Sequence, residues 1–336
     1  MVFASIAEMA SISTSGGQYH WVSEFAPKIY HRFLSWLAGS ISVLGWQIGL
    51  ASLAFIVVTV IQGLIVLDDS AYVSERWQGT LLVMAVAAFA IIFNSFVAIK
   101  LPNDSAVHMS VEIKDASLTL PRVIMTSAVI NGILGWVMTI TFCFTLGNLL
   151  DVNQSATGHS FIQVFLNATK GRGGASVMTA IITINITSAC ISTVATVSRQ
   201  TWSFARDGGL PFSGFLAHVM PGWKIPLNSV LITFAMTCLV SLINIRSTVA
   251  FIAIGSAALV SILSTYFFSI SVLICRRFQG TLPPHRWDLG KFGLAVAWLM
   301  TVWFFGFFPL STPVVLSSMN WNCAMYGGII IIGLVY

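Results

Sequence analysis

The sequence predicts an all-α, polytopic membrane protein. Three observations carry this. Its 336 residues are 57% hydrophobic and only 8% charged, whereas a soluble domain carries about 25% charged residues. Its apolar residues fall into long runs, and about 20 such residues in a helix cross a bilayer core of about 30 Å. Its Lys and Arg collect in alternate loops. So few charges cannot cover a soluble protein of this length without leaving large apolar patches.

Seven runs are complete: 34–66, 77–99, 122–150, 175–198, 226–245, 248–274 and 291–310. A partial run opens the chain at 1–10 and another closes it at 320–336, so residues 1–336 read as one membrane domain. The first full run, Phe33 to Leu67, holds no charge over 35 residues. It is longer than the bilayer core, which predicts a strong tilt or one end outside the lipid. Gly45 and Gly49 within it suit close helix packing. The run at 122–150 is preceded by Pro121, which suits the first turn of a helix. The run at 175–198 leads into Ser198–Pro211. There basic residues favour a helix C-terminus, and Gly208, Gly209 and Pro211 stop it. The run at 248–274 is dotted with Ser256, Ser261, Ser264, Ser269 and Ser271. Arg276 and Arg277 then lead through Pro283 and Pro284 into the next run.

The loops alternate between two sides. Twelve of the sixteen Lys and Arg lie on one of them: Lys28, Arg32, Lys100, Lys114, Arg122, Arg199, Arg206, Lys224, Arg276, Arg277, Arg286 and Lys291. Arg76, Lys170, Arg172 and Arg246 lie on the other. This bias over short loops makes the first side cytoplasmic. The net charge of +5 is thus loop charge of a protein whose partner is the lipid bilayer, with no nucleic acid implied.

Several classes are excluded. The five cysteines (Cys143, Cys190, Cys238, Cys275, Cys323) are scattered without a CxxC and read as small buried hydrophobes. All six histidines lie outside the apolar cores, and no ligand spacing exists, so neither a metal nor a cofactor is expected. A serine hydrolase needs a Ser–His pair at membrane depth, which the histidine positions deny; the chain reads as a non-enzyme. The centres of the runs hold no ionisable residue, the usual mark of a proton relay. Their polarity is mild: Gln47, Gln62, Asn94, Asn131 and Asn185, the last flanked by Thr183, Thr187 and Ser188. It reads either as close packing of small residues or as a polar path.

Four segments on the basic side are more specific. The first, Glu8–Trp21, carries Gly16 and Gly17 for a sharp turn, with Tyr19 and Trp21 as aromatic anchors at the interface. The second runs from His108 through Glu112 to Arg122. The third is Ser198–Pro211, with Arg199, Arg206, Asp207, Gly208 and Pro211. The fourth is the Arg276–Pro284 turn. In this order the stretches AEMASISTSGGQYHW, HMSVEIKDASLTLPR and SRQTWSFARDGGLPFS, with NWNCAMYGG at 320–328, resemble the amino acid–polyamine–organocation transporters. They are similar to the fungal amino-acid permeases of the GABA and choline permease type. Val111 departs from that pattern, which has two adjacent Glu there; Glu112 keeps the second.

The resemblance implies an inverted-repeat (LeuT-like) transporter bundle, incomplete in this chain. It implies a secondary active carrier of an amino acid or small amine, GABA-like or choline-like, that is coupled to protons and works by alternating access. Multi-pass insertion in the plasma membrane, or alternatively the vacuolar membrane, follows. By the same mapping the chain starts within the family's second helix and stops within its twelfth. The fifth and sixth helices would be lost at the join Pro102–Asn103. With the absent first and sixth helices go the broken helices that bind charged groups, and with the fifth the lysine that some relatives use for proton coupling. A second expectation is therefore a truncated or mis-spliced permease without transport. Remaining substrate-path candidates are Gly45, Trp46 and Gln47 on one helix and Asn185 and Ser188 on another, Trp46 offering a cation–π face to a choline-like ligand. Arg199, Arg206, Asp207 and Glu112 are expected to form a cytoplasmic contact network.

Overall fold

The computed structural model describes residues 2–13, 17–69, 71–97, 115–219 and 226–280, with a few single positions beyond. Eleven α-helices follow in order within these: α1 (Val2–Ile12), α2 (Gln18–Phe25), α3 (His31–Asp68), α4 (Arg76–Ile92), α5 (Ala116–Thr145), α6 (Leu149–Asn153), α7 (Ser160–Thr169), α8 (Arg172–Arg206), α9 (Ser213–Leu216), α10 (Leu227–Arg246) and α11 (Thr248–Gln279). A π-turn, Phe93–Val97, extends α4. Six helices among the described residues are long and apolar enough to cross a membrane. They are α3, α4 with the start of its π-turn, α5, α8, α10 and α11, and the chain is an all-α polytopic membrane protein. Apart from Gly293 and Ile331, the runs at 291–310 and 320–336 lie outside the described residues, as do Gly16 and Glu112.

Helix ends follow local chemistry. Glu75 and Gln78 form a capping box on α4, each side chain taking the other residue's backbone N–H. Ser247 caps α11 by accepting from the Ala250 N–H at 3.2 Å. α8 ends at Arg206, and Gly208 follows at φ 76°, a left-handed position that glycine takes without a Cβ penalty. The run at 122–150 is not one helix. Gly147 at φ 70° stops it after Thr145, and Asn148 caps the short α6. α11 runs on to Gln279, so Arg276 and Arg277 occupy its last turn rather than a loop, where cations face the negative end of the dipole.

α3 is the hub of the bundle. It packs against α2, α4, α8, α10 and α11. Small residues let α3 and α11 approach closely: a Cβ on Gly45 would fall 3.0 Å from the Ser261 Cβ, and one on Gly255 2.6 Å from the Ser52 Oγ. Without a hydrophobic drive between helices in lipid, this intimacy is what holds them. A buried cluster of Leu50, Ala54, Val58, Val83, Cys190 and Val194 joins α3, α4 and α8.

The contacts sort the loops onto the two ends the charge pattern assigns. At one end the Arg76 Nη1 donates to the Arg246 carbonyl at 3.1 Å, and the Ser176 Oγ to Asp68 Oδ1 at 3.1 Å. At the other, the Lys/Arg-rich end, the Trp36 Nε1 donates to the Gly209 carbonyl at 3.2 Å, and Tyr19 reaches Asp207.

α5 stands apart. None of the residues in its apolar 18-residue window is buried. It leans on α1 at the Lys/Arg-rich end and on α7 at the other, where Phe142 and Phe165 rings lie 5.8 Å apart. Pro121 does not open this helix but sits at its sixth position. The missing N–H leaves the Ser117 carbonyl without its helical donor. The Ser11 Oγ of α1 supplies one at 2.7 Å, so the helix begins five residues before the proline.

Candidate functional site

The polar centre of the bundle is Gln47. It is 3% exposed on a helix that, apart from Gln62, packs through apolar and small residues. Its Nε2 donates to the Thr201 Oγ1 at 3.0 Å and to the Thr233 Oγ1 at 3.1 Å, joining α3, α8 and α10. Both threonines spend their own protons on backbone carbonyls of their helices, Val197 and Ser229. The Gln47 Oε1 is buried and has no partner, and neither has the Trp46 Nε1 beside it. An unpaired buried amide oxygen costs about 1–3 kcal/mol. A polar ligand or a water would recover that cost here, as it would at the unpaired Asn244 Oδ1.

The five sequence-predicted path residues are not brought together. Gln47 is buried and Trp46 half-buried, while Gly45 is used up in packing on Ser261 and Ile262. Asn185 and Ser188 are exposed, and their side chains donate to the Ile181 and Ile184 carbonyls of their own helix at 3.1 and 3.0 Å. They lie on the face of α8 opposite Cys190, Val194, Val197 and Thr201, which is the buried face. Thr201 and Thr233 were not expected. A signal for Thr233 is present in the sequence: Ser229, Thr233, Thr237 and Ser241 recur every fourth residue, and all four are fully buried.

At the Lys/Arg-rich end, Gly17 is the extended N-cap of α2. Tyr19 and Trp21 are not interfacial anchors. They are 6% and 8% exposed, in a cluster with Phe25, Phe204 and Ile270. The reason is that both polar atoms find protein partners: the Trp21 Nε1 donates to the Ser13 carbonyl at 3.0 Å, and the Tyr19 OH lies 3.0 Å from Asp207 Oδ2 and 2.8 Å from Ser203 Oγ. A polar tip satisfied inside has no need of the headgroup region.

Of the expected network of Arg199, Arg206, Asp207 and Glu112, Glu112 lies outside the described residues. Asp207 serves Tyr19. The exposed Arg206 lies over the Trp202 ring, 4.8 Å from its centre, with its Nε 3.7 Å from Asp207. Arg199 is half-buried, and Pro211 is exposed just beyond the helix stop. Among the described residues, the ion pairs that tie separate segments are Arg277–Glu8 and Arg286–Asp115. Arginine near the end of α11 meets α1 because the two helices touch there.

Burial, helped by the nearby Asp207 charge, pushes the Tyr19 hydroxyl up to about 12 from 10.0, against an opposing hydrogen bond with Ser203. The folded state thus keeps a proton that the unfolded chain gives up first. The resulting stability is complete below about pH 10 and is lost as pH rises through 12. The expected result is that the melting temperature of the wild type falls more steeply than that of Tyr19→Phe between pH 9.5 and 11. Parallel curves in a detergent melting series would refute this.

No group of His, Cys, Asp and Glu among the described residues is arranged to hold a metal ion.

Comparison with known proteins gives the geometry its context. The amino acid permease family model matches residues 1–101 and 103–334. An uncharacterized amino-acid permease of Schizosaccharomyces pombe is 26% identical over 410 aligned positions, covering 100% of this chain and 71% of the relative. A putative amino acid/polyamine transporter of Macrophomina phaseolina is 27% identical over 394 positions, 95% of this chain and 86% of the relative. The choline transporter of Saccharomyces cerevisiae is 24% identical over 395 positions, 96% of this chain and 70% of the relative. With nearly its whole length matched and six membrane-length helices among the described residues, this chain belongs to the amino acid permease family.

Proposed function

We propose that the chain is a secondary active transporter of an amino acid or a small amine, choline among the first candidates. It works by alternating access and is driven by protons. The observation that carries the reading is Gln47: a buried amide oxygen without a partner, where three helices of a permease meet. Trp46, the preceding residue in the chain and half-buried, has an indole face over which a quaternary ammonium gains about 0.5–2 kcal/mol. The choline transporter among the relatives supports testing that ligand first. Plasma membrane is the proposed location.

The test is uptake of labelled choline, GABA and amino acids by cells lacking their own carriers, with and without a protonophore. Gln47→Leu is the informative variant. It gives up two interhelical hydrogen bonds, about 0.6 kcal/mol each in membranes, but removes the unpaired oxygen. Its melting temperature is therefore expected to stay near wild type while uptake falls at least about tenfold, the worth of 1.4 kcal/mol of lost ligand interaction. Uptake by the wild type that Gln47→Leu leaves intact would remove Gln47 from the path.

One set of observations favours a second reading, an incomplete permease without transport. The family match breaks between residues 101 and 103, the first relative aligns over 410 positions to a chain of 336 residues, and α5 leaves its apolar window unburied. Inserting the relative's intervening segment between Pro102 and Asn103 separates the two readings. Uptake only after insertion supports the second.

A further inference from the structure

α5 is gripped at the Lys/Arg-rich end by a reciprocal exchange between two serines. The Ser11 Oγ donates to the Ser117 carbonyl at 2.7 Å, and the Ser117 Oγ donates to the Ser11 carbonyl at 2.7 Å. Each bond answers a defect in the other helix. Ser117 stands four residues before Pro121, so no helical N–H reaches its carbonyl. Ser11 lies in the last turn of α1, so its carbonyl is an orphan of the helix end. The Ser11 Oγ also accepts from the Trp287 N–H at 3.1 Å.

Three residues before Ser11 on α1 is Glu8. Its side chain is 1% exposed and paired with Arg277, 15% exposed, in the last turn of α11. Gly293 passes against the same guanidinium: a Cβ there would fall 2.5 Å from Nη2. One turn of α1 thus carries both the ion pair to α11 and the serine bonds to α5.

We propose that Glu8 and Arg277 are positioning residues for transport: the pair latches α1 to α11, and Ser11 and Ser117 pass the state of that latch to α5. The latch role rests on the transport reading, whereas the linkage of the three helices does not. α5 follows α1 because among the described residues it has few other holds: its apolar window is unburied, its N-cap Asp115 pairs with Arg286, and its far end meets α7. A bound carboxylate–guanidinium pair is specific to one arrangement, whereas apolar contacts slide.

Hydrogen exchange read by mass spectrometry on the full chain in nanodiscs tests the linkage without any substrate. In Glu8→Gln, exchange in peptides over Val2–Ile12 and over Ala116–Ile124 rises together by about fivefold or more, while the middle of α3 around Gln47 stays protected. In Ser117→Ala, the rise is confined to Ala116–Ile124. If Glu8→Gln does not fold, Gly293→Ala perturbs the guanidinium from outside the pair and is expected to show the same coupled rise. A rise in α1 alone, or equal loosening of the whole bundle, overturns the proposal. Coupled exchange in a chain that takes up nothing leaves the linkage standing and sinks the transport reading instead.

Discussion

Gly39→Ala is expected to destabilise the protein by roughly 2 kcal/mol, and Gly39→Val to prevent folding, although either change should favour the helix. Alanine in a helix interior gains about 1 kcal/mol over glycine. Here a Cβ would lie 2.3 Å from the Phe204 Cε2 and 2.6 Å from its Cζ. The ring cannot step aside, because a Cβ on Gly209 would meet the same atoms at 2.4 Å. Phe204 is held between two glycine backbones, 3% exposed, with the Tyr19 ring 5.3 Å away. Steric overlap therefore outweighs propensity, and the sign of the effect is the test. The melting temperature in detergent falls for Gly39→Ala and recovers in part when Phe204 is also made Leu. A Gly39→Ala protein that melts higher than wild type would show that the ring has somewhere to go.

That sandwich also shows which parts of the molecule could be read in advance. Long uncharged runs and alternating basic loops are set by the bilayer, and both are properties of consecutive residues. The end of α8 at Gly208 is equally local. The packing role of Gly209 is not, since it depends on Gly39, on a different helix. The serine exchange between Ser11 and Ser117 joins positions 106 residues apart and depends on a proline four residues further on. Pro121 alone reads as a helix start, and only a neighbour with a spare hydroxyl makes it tolerable inside. Tyr19 and Trp21 mislead for a related reason. An aromatic residue at a helix end suits the interface unless its polar atom has a partner within the protein, and those partners lie at Ser13, Ser203 and Asp207.

The candidate site divides the same way. Gln47 stands out within 35 uncharged residues because an amide there must be paired or pay for its burial. Asn185 and Ser188 stand out equally by composition, yet their donors go to carbonyls four residues back, a bond available to any small polar residue on a helix. What separates the two cases is the face each residue presents, and α8 is so rich in Ser and Thr that no single stripe marks its buried side. Charge pairing is the least local of all. Arg206 and Asp207 are neighbours that pair with each other and also reach Trp202 and Tyr19, while Glu8 and Arg277 are 269 residues apart.

Arg277→Met is expected to cost about 3–5 kcal/mol, the loss typical of breaking a buried ion pair by removing one partner. The Glu8 carboxylate is 1% exposed, so water cannot replace the guanidinium. The double variant Glu8→Leu/Arg277→Met is expected to recover most of that loss, because a well-packed apolar pair is often neutral against a buried ion pair. Thermal melting of both single variants and the double variant decides it. If Arg277→Met melts with the wild type, Glu8 has found another partner of equal worth. If the double variant is no better than the single, the two side chains do not depend on each other. The recovered double variant is also the sharpest reagent for the latch. It restores stability without a directional bond between α1 and α11, so any transport it lacks belongs to the ion pair and not to the fold.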